Sequence, residues 1–176
     1  MRLFRIASAI LAAATLPALA QTAPAPAAPT RPASNSLTLV IDGKSTVYSL
    51  ADLAALPHIS VTVHNARANT DSVYSGVPLV NLLLAHGVTF AGSQAQEHKM
   101  LRCYLAAHST DDYFVTLSTI EVFPEYHAGD VIVADSKDGK PIVTNGALEL
   151  VSSEDKRTPR MVYSLAKIVL LESPGE

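Results

Sequence analysis

The sequence predicts a strand-rich, mixed α+β domain, and two observations carry that prediction. Short apolar or alternating segments recur from Leu37 to Leu171, most of them bounded by Gly, Pro, Asn or Asp. Short helical signals, each a capping residue followed by a few apolar positions, are interleaved with those segments. No internal repeat interrupts the pattern, so many strands and a few helices must share one layered domain.

The elements follow in order. Leu37 to Ile41 is a compact apolar run, Asp42-Gly43 a turn pair, and Ser45 to Tyr48 a second short strand. Ser49, with Asp52 three residues on, has the spacing of an N-cap for a short helix that ends before Pro57. Ile59 to His64 alternates Ile, Val and Val with Ser, Thr and His, the pattern of a strand with one buried face. After a polar loop, Val77-Pro78-Leu79 opens a helix through Ala85, with Leu79, Leu82 and Leu83 on one stripe and Gly87 as its stop. Met100 to Ala107 and Tyr113 to Leu117 flank an Asp111-Asp112 turn and read as a hairpin. Ser118 with Glu121 has the capping-box spacing and predicts another short helix. Val131 to Ala134, Leu148 to Val151 and Ile168 to Leu171 are the remaining strands, with a turn at Lys137-Asp138-Gly139-Lys140.

Ahead of the domain, residues 1–20 have the three parts of a secretory signal. Arg2 and Arg5 give a positive start, Ile6 to Leu16 a short apolar run, and Ala18-Leu19-Ala20 a small-x-small cleavage pattern. The run is shorter than the roughly 20 apolar residues of a membrane span, so no stable anchor is expected and the location is periplasmic or secreted. Leu3 and Phe4 separate the two arginines, so the twin-arginine pair is absent and export of an unfolded chain is expected. Residues 21–36, with Pro24, Pro26, Pro29 and Pro32 among Ala and Thr, read as a spacer, which leaves 37–176 as the folded domain.

Cleavage after Ala20 removes two of the 13 basic residues and none of the 16 acidic ones, leaving a net charge of −5. That balance, without a broad basic face, argues against nucleic acid and against anionic lipid as partners. Cys103 is the only cysteine, so no internal disulfide is available and packing must stabilise the domain. Its place within a predicted strand fits a buried, inert thiol. The six histidines show no H-x-x-x-H or Cys/His spacing that would fix a metal, although a histidine-based metal-binding protein is one reading of them. His108, Ser109 and Asp111 have the residue types of a hydrolase triad, but they share a turn and lack a G-x-S-x-G elbow. The dense basic stretch Lys156-Arg157-Thr158-Pro159-Arg160 suits an anionic group.

Several segments, in order and spacing, resemble the molybdopterin-binding domain of the sulfite oxidase type in a small exported form. They are Ser49 to Pro57, Ser75-Gly76-Val77-Pro78-Leu79 with Leu82-Leu83 and Gly87, and Asp112 to Ser118. Val131-Ile132-Val133-Ala134 leading to Asp138-Gly139-Lys140-Pro141, then Asn145 to Val151 and the Arg160 region, complete the resemblance. It implies a pterin cofactor and redox chemistry at molybdenum, anchored by a cysteine in the passage before Gly-Val-Pro-Leu. Here that passage is Val63-His64-Asn65-Ala66-Arg67, without a cysteine, and Tyr163 stands where the enzymes tend to carry a basic residue. A high-valent metal without a thiolate loses its protein anchor.

The expected protein is therefore a binding or accessory module without molybdenum, with no catalytic residues and no metal ligands assigned. Its partner is expected to be an anionic small molecule or a periplasmic protein. Molybdopterin is the cofactor if the resemblance extends to the site, and an active molybdopterin-dependent oxidoreductase is the alternative. His64, Asn65, Arg67 and Arg160 are the expected lining of any surviving pocket. The resemblance also implies that the cofactor is inserted before export, so a chain exported unfolded arrives empty. Sequencing the exported protein should give an N-terminus at Gln21, and a mature chain still beginning at Met1 would contradict the cleavable signal.

Overall fold

Alternation builds the first sheet. In β1 (Ser36–Ile41), Leu37, Leu39 and Ile41 are buried, while the residues between them are only half-buried. Asp42 and Gly43 both take positive φ (48° and 74°), as a tight two-residue hairpin requires, and turn the chain into β2 (Lys44–Ser49). The computed structural model describes residues 32–174, so the expected signal and most of the expected spacer lie outside the described residues.

The first sheet is completed by β10 (Leu165–Glu172), β5 (Cys103–Ser109) and β6 (Phe114–Ser118), in the order β2-β1-β10-β5-β6. Only the β1–β10 pairing is parallel. The second sheet runs from β3 (Ile59–Asn65) through β4 (Thr70–Pro78) to β7 (Val131–Lys137). The far edge of β7 is shared by the short β8 (Lys140–Pro141) and by β9 (Glu149–Ser152). This is the strand-rich α+β arrangement that the sequence predicts.

Two cores result. The larger one joins Leu37, Leu39, Leu105, Leu117 and Ile168 of the first sheet to Val77, Val131, Val133 and Leu150 of the second. The smaller one, on the other face of the second sheet, gathers Val61, Val63, Tyr74, Ile132, Ala134 and Val151 under Ile142 and Met161. A continuous apolar run such as Val131 to Ala134 fits a strand buried on both faces. Each fully buried leucine or isoleucine in these cores contributes about 2 kcal/mol.

The helices fill the margins. Helix α1 (Leu50–Ala54) begins with the capping box its spacing predicts: Asp52 N donates to Ser49 Oγ at 3.1 Å, and Ser49 N to Asp52 Oδ2 at 2.8 Å. Helix α2 (Leu79–Ala85) buries Leu79, Leu82 and Leu83, with Pro78 as its cap residue. The Ser118–Glu121 box also forms, but it starts a single 3₁₀ turn, Thr119–Glu121, in place of an α-helix.

Three segments differ from the sequence expectation. β4 occupies residues taken as a polar loop, because β3 and β7 satisfy its backbone from both sides whatever its side chains are. Helix α3 (Gln94–Leu101) buries only Met100, so no apolar stripe announces it, and β5 therefore starts at Cys103 and not at Met100. The folded part also extends back to Pro32. Ala147 N donates to the Ser34 carbonyl at 2.9 Å, and Ser164 Oγ donates to the Pro32 carbonyl at 3.1 Å.

Gly76 sits at the bulge where β4 meets β7, and a Cβ there would lie 2.1 Å from the Val133 carbonyl oxygen. The obstacle is backbone at the centre of the sheet, so no side-chain rotation relieves it. Gly76→Ala is expected to cost about 2–3 kcal/mol in chemical denaturation; an unchanged midpoint and slope would contradict this packing.

His58 pins the start of β3 to β7, with Nε2 3.0 Å from Asp135 Oδ2 and Nδ1 2.7 Å from the Leu56 carbonyl. Two acceptors on one ring suit the imidazolium, and the Asp135 hydrogen bond raises the His58 pKa against the opposing effect of burial. A raised folded pKa means that the pair's stabilisation is fully present below the unfolded value of about 6.5 and is lost as pH rises through the folded value. Asp135→Asn should remove a pH-dependent increment of about 0.5 kcal/mol, measured as the difference in stability between the two sides of that window. An Asn variant with the same pH dependence as the parent would contradict the assignment.

Candidate functional site

The β3–β4 hairpin and the 153–161 segment meet at a surface pocket of about 450 Å³, lined by Asn65, Ala66, Arg67, Arg157, Thr158 and Pro159. The hairpin is shaped by Asn65, whose Oδ1 accepts from Arg67 N at 3.0 Å and Ala68 N at 3.1 Å. A side-chain oxygen that holds two successive N–H groups in this way fixes a tight turn. It also commits the carbonyl end of Asn65 to the backbone, so its amide N–H groups are what remain for a ligand.

The opposite wall is held just as locally. Ser153 N donates to the Asp130 carbonyl and Asp130 N to Ser153 Oγ, both at 2.9 Å, where the segment leaves β9. Tyr113 at the β5–β6 turn donates its hydroxyl proton to the Pro159 carbonyl. Met161 then anchors the far end by burial in the smaller core.

Of the four residues expected to line a pocket, the structure brings Asn65 and Arg67 together and sets the other two apart. His64 is placed elsewhere by strand alternation. Val61 and Val63 face the smaller core while Thr62 and His64 are exposed on the opposite side, where His64 Nδ1 lies 2.7 Å from Asp71 Oδ1 across the hairpin. Arg160 is adjacent in sequence but absent from the lining. Its Nε donates to both Asp155 oxygens at 3.1 Å, Nη2 also donates to Asp155, and Nη1 donates to Glu121 Oε1 at 2.7 Å. These carboxylates hold the Arg160 pKa above its ordinary value. Burial alone would raise the Glu121 pKa, but the bonds from Arg160 and Ser118 N outweigh it and hold that carboxyl below its usual value.

Arg157 is the residue that the basic stretch contributes to the pocket. Among the described residues, neither Arg67 nor Arg157 forms an ion pair with a carboxylate, and the lining contains none. A larger pocket of about 530 Å³, near β8, mixes Lys137 and Lys140 with Asp138 and Glu149, so its charges largely cancel. Of these two pockets, the one with two uncompensated cations is therefore the one at the hairpin. In sequence the distinguishing signal was available only in part, because nothing in Arg157-Thr158-Pro159-Arg160 marks which arginine meets a carboxylate.

A molybdenum centre does not fit these residues. The lining offers nitrogen and hydroxyl groups and no thiolate. Cys103 belongs to the other sheet, is 4% exposed and donates its thiol to the Lys99 carbonyl at 3.4 Å. Burial and then the Glu172 charge push its pKa up, the wrong direction for a metal ligand. Among the described residues, no three or more His, Cys, Asp or Glu side chains are gathered as a metal cluster. Also among them, no helix is long and apolar enough to cross a membrane.

No family model matches the chain, and no curated protein matches it significantly. Among solved structures it is similar to the sulfane dehydrogenase SoxCD from Paracoccus pantotrophus, at 16% identity and a TM-score of 0.58. The match covers 78% of this chain and 38% of that one, so the domain spans well under half of the larger protein's chain. The chain thus shares its fold with the matched part of that protein, and a likeness at this identity carries the fold and not the chemistry.

Proposed function

We propose that this domain is an exported binding or accessory module that takes an anionic small molecule between Arg67 and Arg157, without molybdenum. The observation that carries the reading is the meeting of these two arginines, from separate loops, in a pocket whose lining has no carboxylate. Planar guanidinium groups offer paired N–H donors to the oxygens of a phosphate, sulfate or carboxylate. Asn65 and Thr158 add neutral donors at the same place. A non-catalytic role is supported by the chemistry of the lining, which holds no nucleophile paired with a base and no soft ligand for a metal.

The periplasmic or secreted location rests on the signal-like N-terminus. It agrees with the expected lack of cofactor, because a chain threaded out unfolded cannot carry a folded-in pterin.

Two measurements test this. Calorimetric titration with inorganic sulfate and phosphate should show binding that Arg67→Ala and Arg157→Ala each weaken about tenfold, equivalent to about 1.4 kcal/mol. Affinity unchanged in both variants would overturn the assigned site. Protein purified from its native compartment should contain molybdenum and pterin far below one per chain. Near-stoichiometric metal would instead favour the active oxidoreductase.

A further inference from the structure

We infer that Arg160 is a positioning residue for this anion site, closing the loop that presents Arg157. The inference rests on the reading proposed above and deepens it. Asp155 and Arg160 are joined by a forked ion pair, and every pocket residue on this wall, Arg157, Thr158 and Pro159, lies between them in sequence. The pair therefore ties the base of a short loop whose tip is one wall of the site. The remaining Arg160 nitrogen reaches Glu121, which also accepts from Ser118 N at 2.8 Å in the capping box of the 3₁₀ turn. Through that second carboxylate the loop is fastened to the end of β6, on the other sheet.

The cost of presenting Arg157 is thus met within the free protein. A loop held in one arrangement loses less conformational freedom on binding than a mobile one, so a fixed base shows up as affinity. Arg160 suits this task because a bidentate fork holds geometry that a single ammonium cannot. Asp155 is mostly buried, with 12% of its side chain exposed, so the fork is shielded from much of the screening that weakens surface pairs.

The alternative role, Arg160 as a direct ligand, predicts the opposite sign in one variant. Glu121→Gln removes a negative charge beside Arg160 and weakens the hold on one Arg160 nitrogen, because a neutral amide oxygen accepts less strongly than a carboxylate. If Arg160 binds the anion, both changes tighten binding. If it positions the loop, binding weakens in spite of the lost charge. The test is titration with sulfate of the full exported chain and its Glu121→Gln, Arg160→Lys and Arg160→Gln forms, with melting temperatures for each. Glu121→Gln and Arg160→Lys are expected to weaken sulfate binding about three- to tenfold while the proteins remain folded at the titration temperature. Tighter or unchanged binding in folded Glu121→Gln would overturn the inference, as would a lowered melting temperature with unchanged affinity in Arg160→Lys, the mark of a purely structural pair. Arg160→Gln is the most disruptive of the set, and Glu121→Gln keeps the inference testable if that variant does not fold. Loss of binding in Arg67→Ala and Arg157→Ala with none in the Glu121 and Arg160 variants would retain the anion site and remove only the positioning role.

Discussion

Strand β7 has no solvent face over its first four residues, and that constraint organises the molecule. Val131 and Val133 pack into the core between the sheets, while Ile132 and Ala134 pack into the smaller core behind. A strand buried on both sides needs neighbours on both edges and cover on both faces. β4 and β9 supply the edges, which is why β4 forms in spite of its polar composition. The close approach of the β4 backbone to Val133 leaves room for glycine alone at position 76. Ile142 and Met161 supply the rear cover, and they bring with them the two loops that border the surface pockets. The candidate site is a by-product of covering β7: the segment that delivers Met161 to the rear core also delivers Arg157 to the pocket.

Charge then decides which part of that segment is active. Three cations lie in five residues at positions 156–160, yet they are not equivalent. Arg160 is balanced by Asp155 and Glu121, and its charge is spent inside the protein. Arg157 forms no such pair among the described residues and lines the pocket together with Arg67. Two uncompensated guanidinium groups repel one another, and an anion between them removes that repulsion as well as making hydrogen bonds. On the proposed reading, a pocket lined by two arginines in a net negative chain would draw small anions to a defined place without favouring polyanions in general.

The fold was legible where side-chain pattern and local chemistry agree. A compact apolar run placed β1, alternation placed β3, capping spacing placed α1 and a short helix where the Thr119–Glu121 turn forms, and the Val131 to Ala134 run placed the first part of β7. β4 and α3 were illegible for opposite reasons. One owes its strand state to flanking strands and the other has a single buried residue, Met100, to show. Ser93 did leave a trace of α3, because its hydroxyl caps Gln96 N at the spacing of an N-cap. At the site, Asn65 and Arg67 were reached through the family resemblance, as part of the passage between the Ile59–His64 strand and Gly76-Val77-Pro78-Leu79. The separation of His64 depends on which face of β3 is covered, and the division of labour between Arg157 and Arg160 depends on carboxylates up to 39 residues away.

The likeness to a sulfane dehydrogenase domain concerns the scaffold, and the chemistry of this chain has to be read from its own lining. That lining is cationic and without a thiolate, which is the ground on which the anion site is proposed. The most direct test is crystallographic: soaking with low-millimolar selenate, a sulfate analogue with an anomalous signal. The account predicts a peak between the Arg67 and Arg157 side chains, with the Arg160–Asp155 and Arg160–Glu121 pairs intact. A peak seated on Arg160 with those pairs broken, or anion density confined to the Lys137–Lys140 pocket, would contradict it.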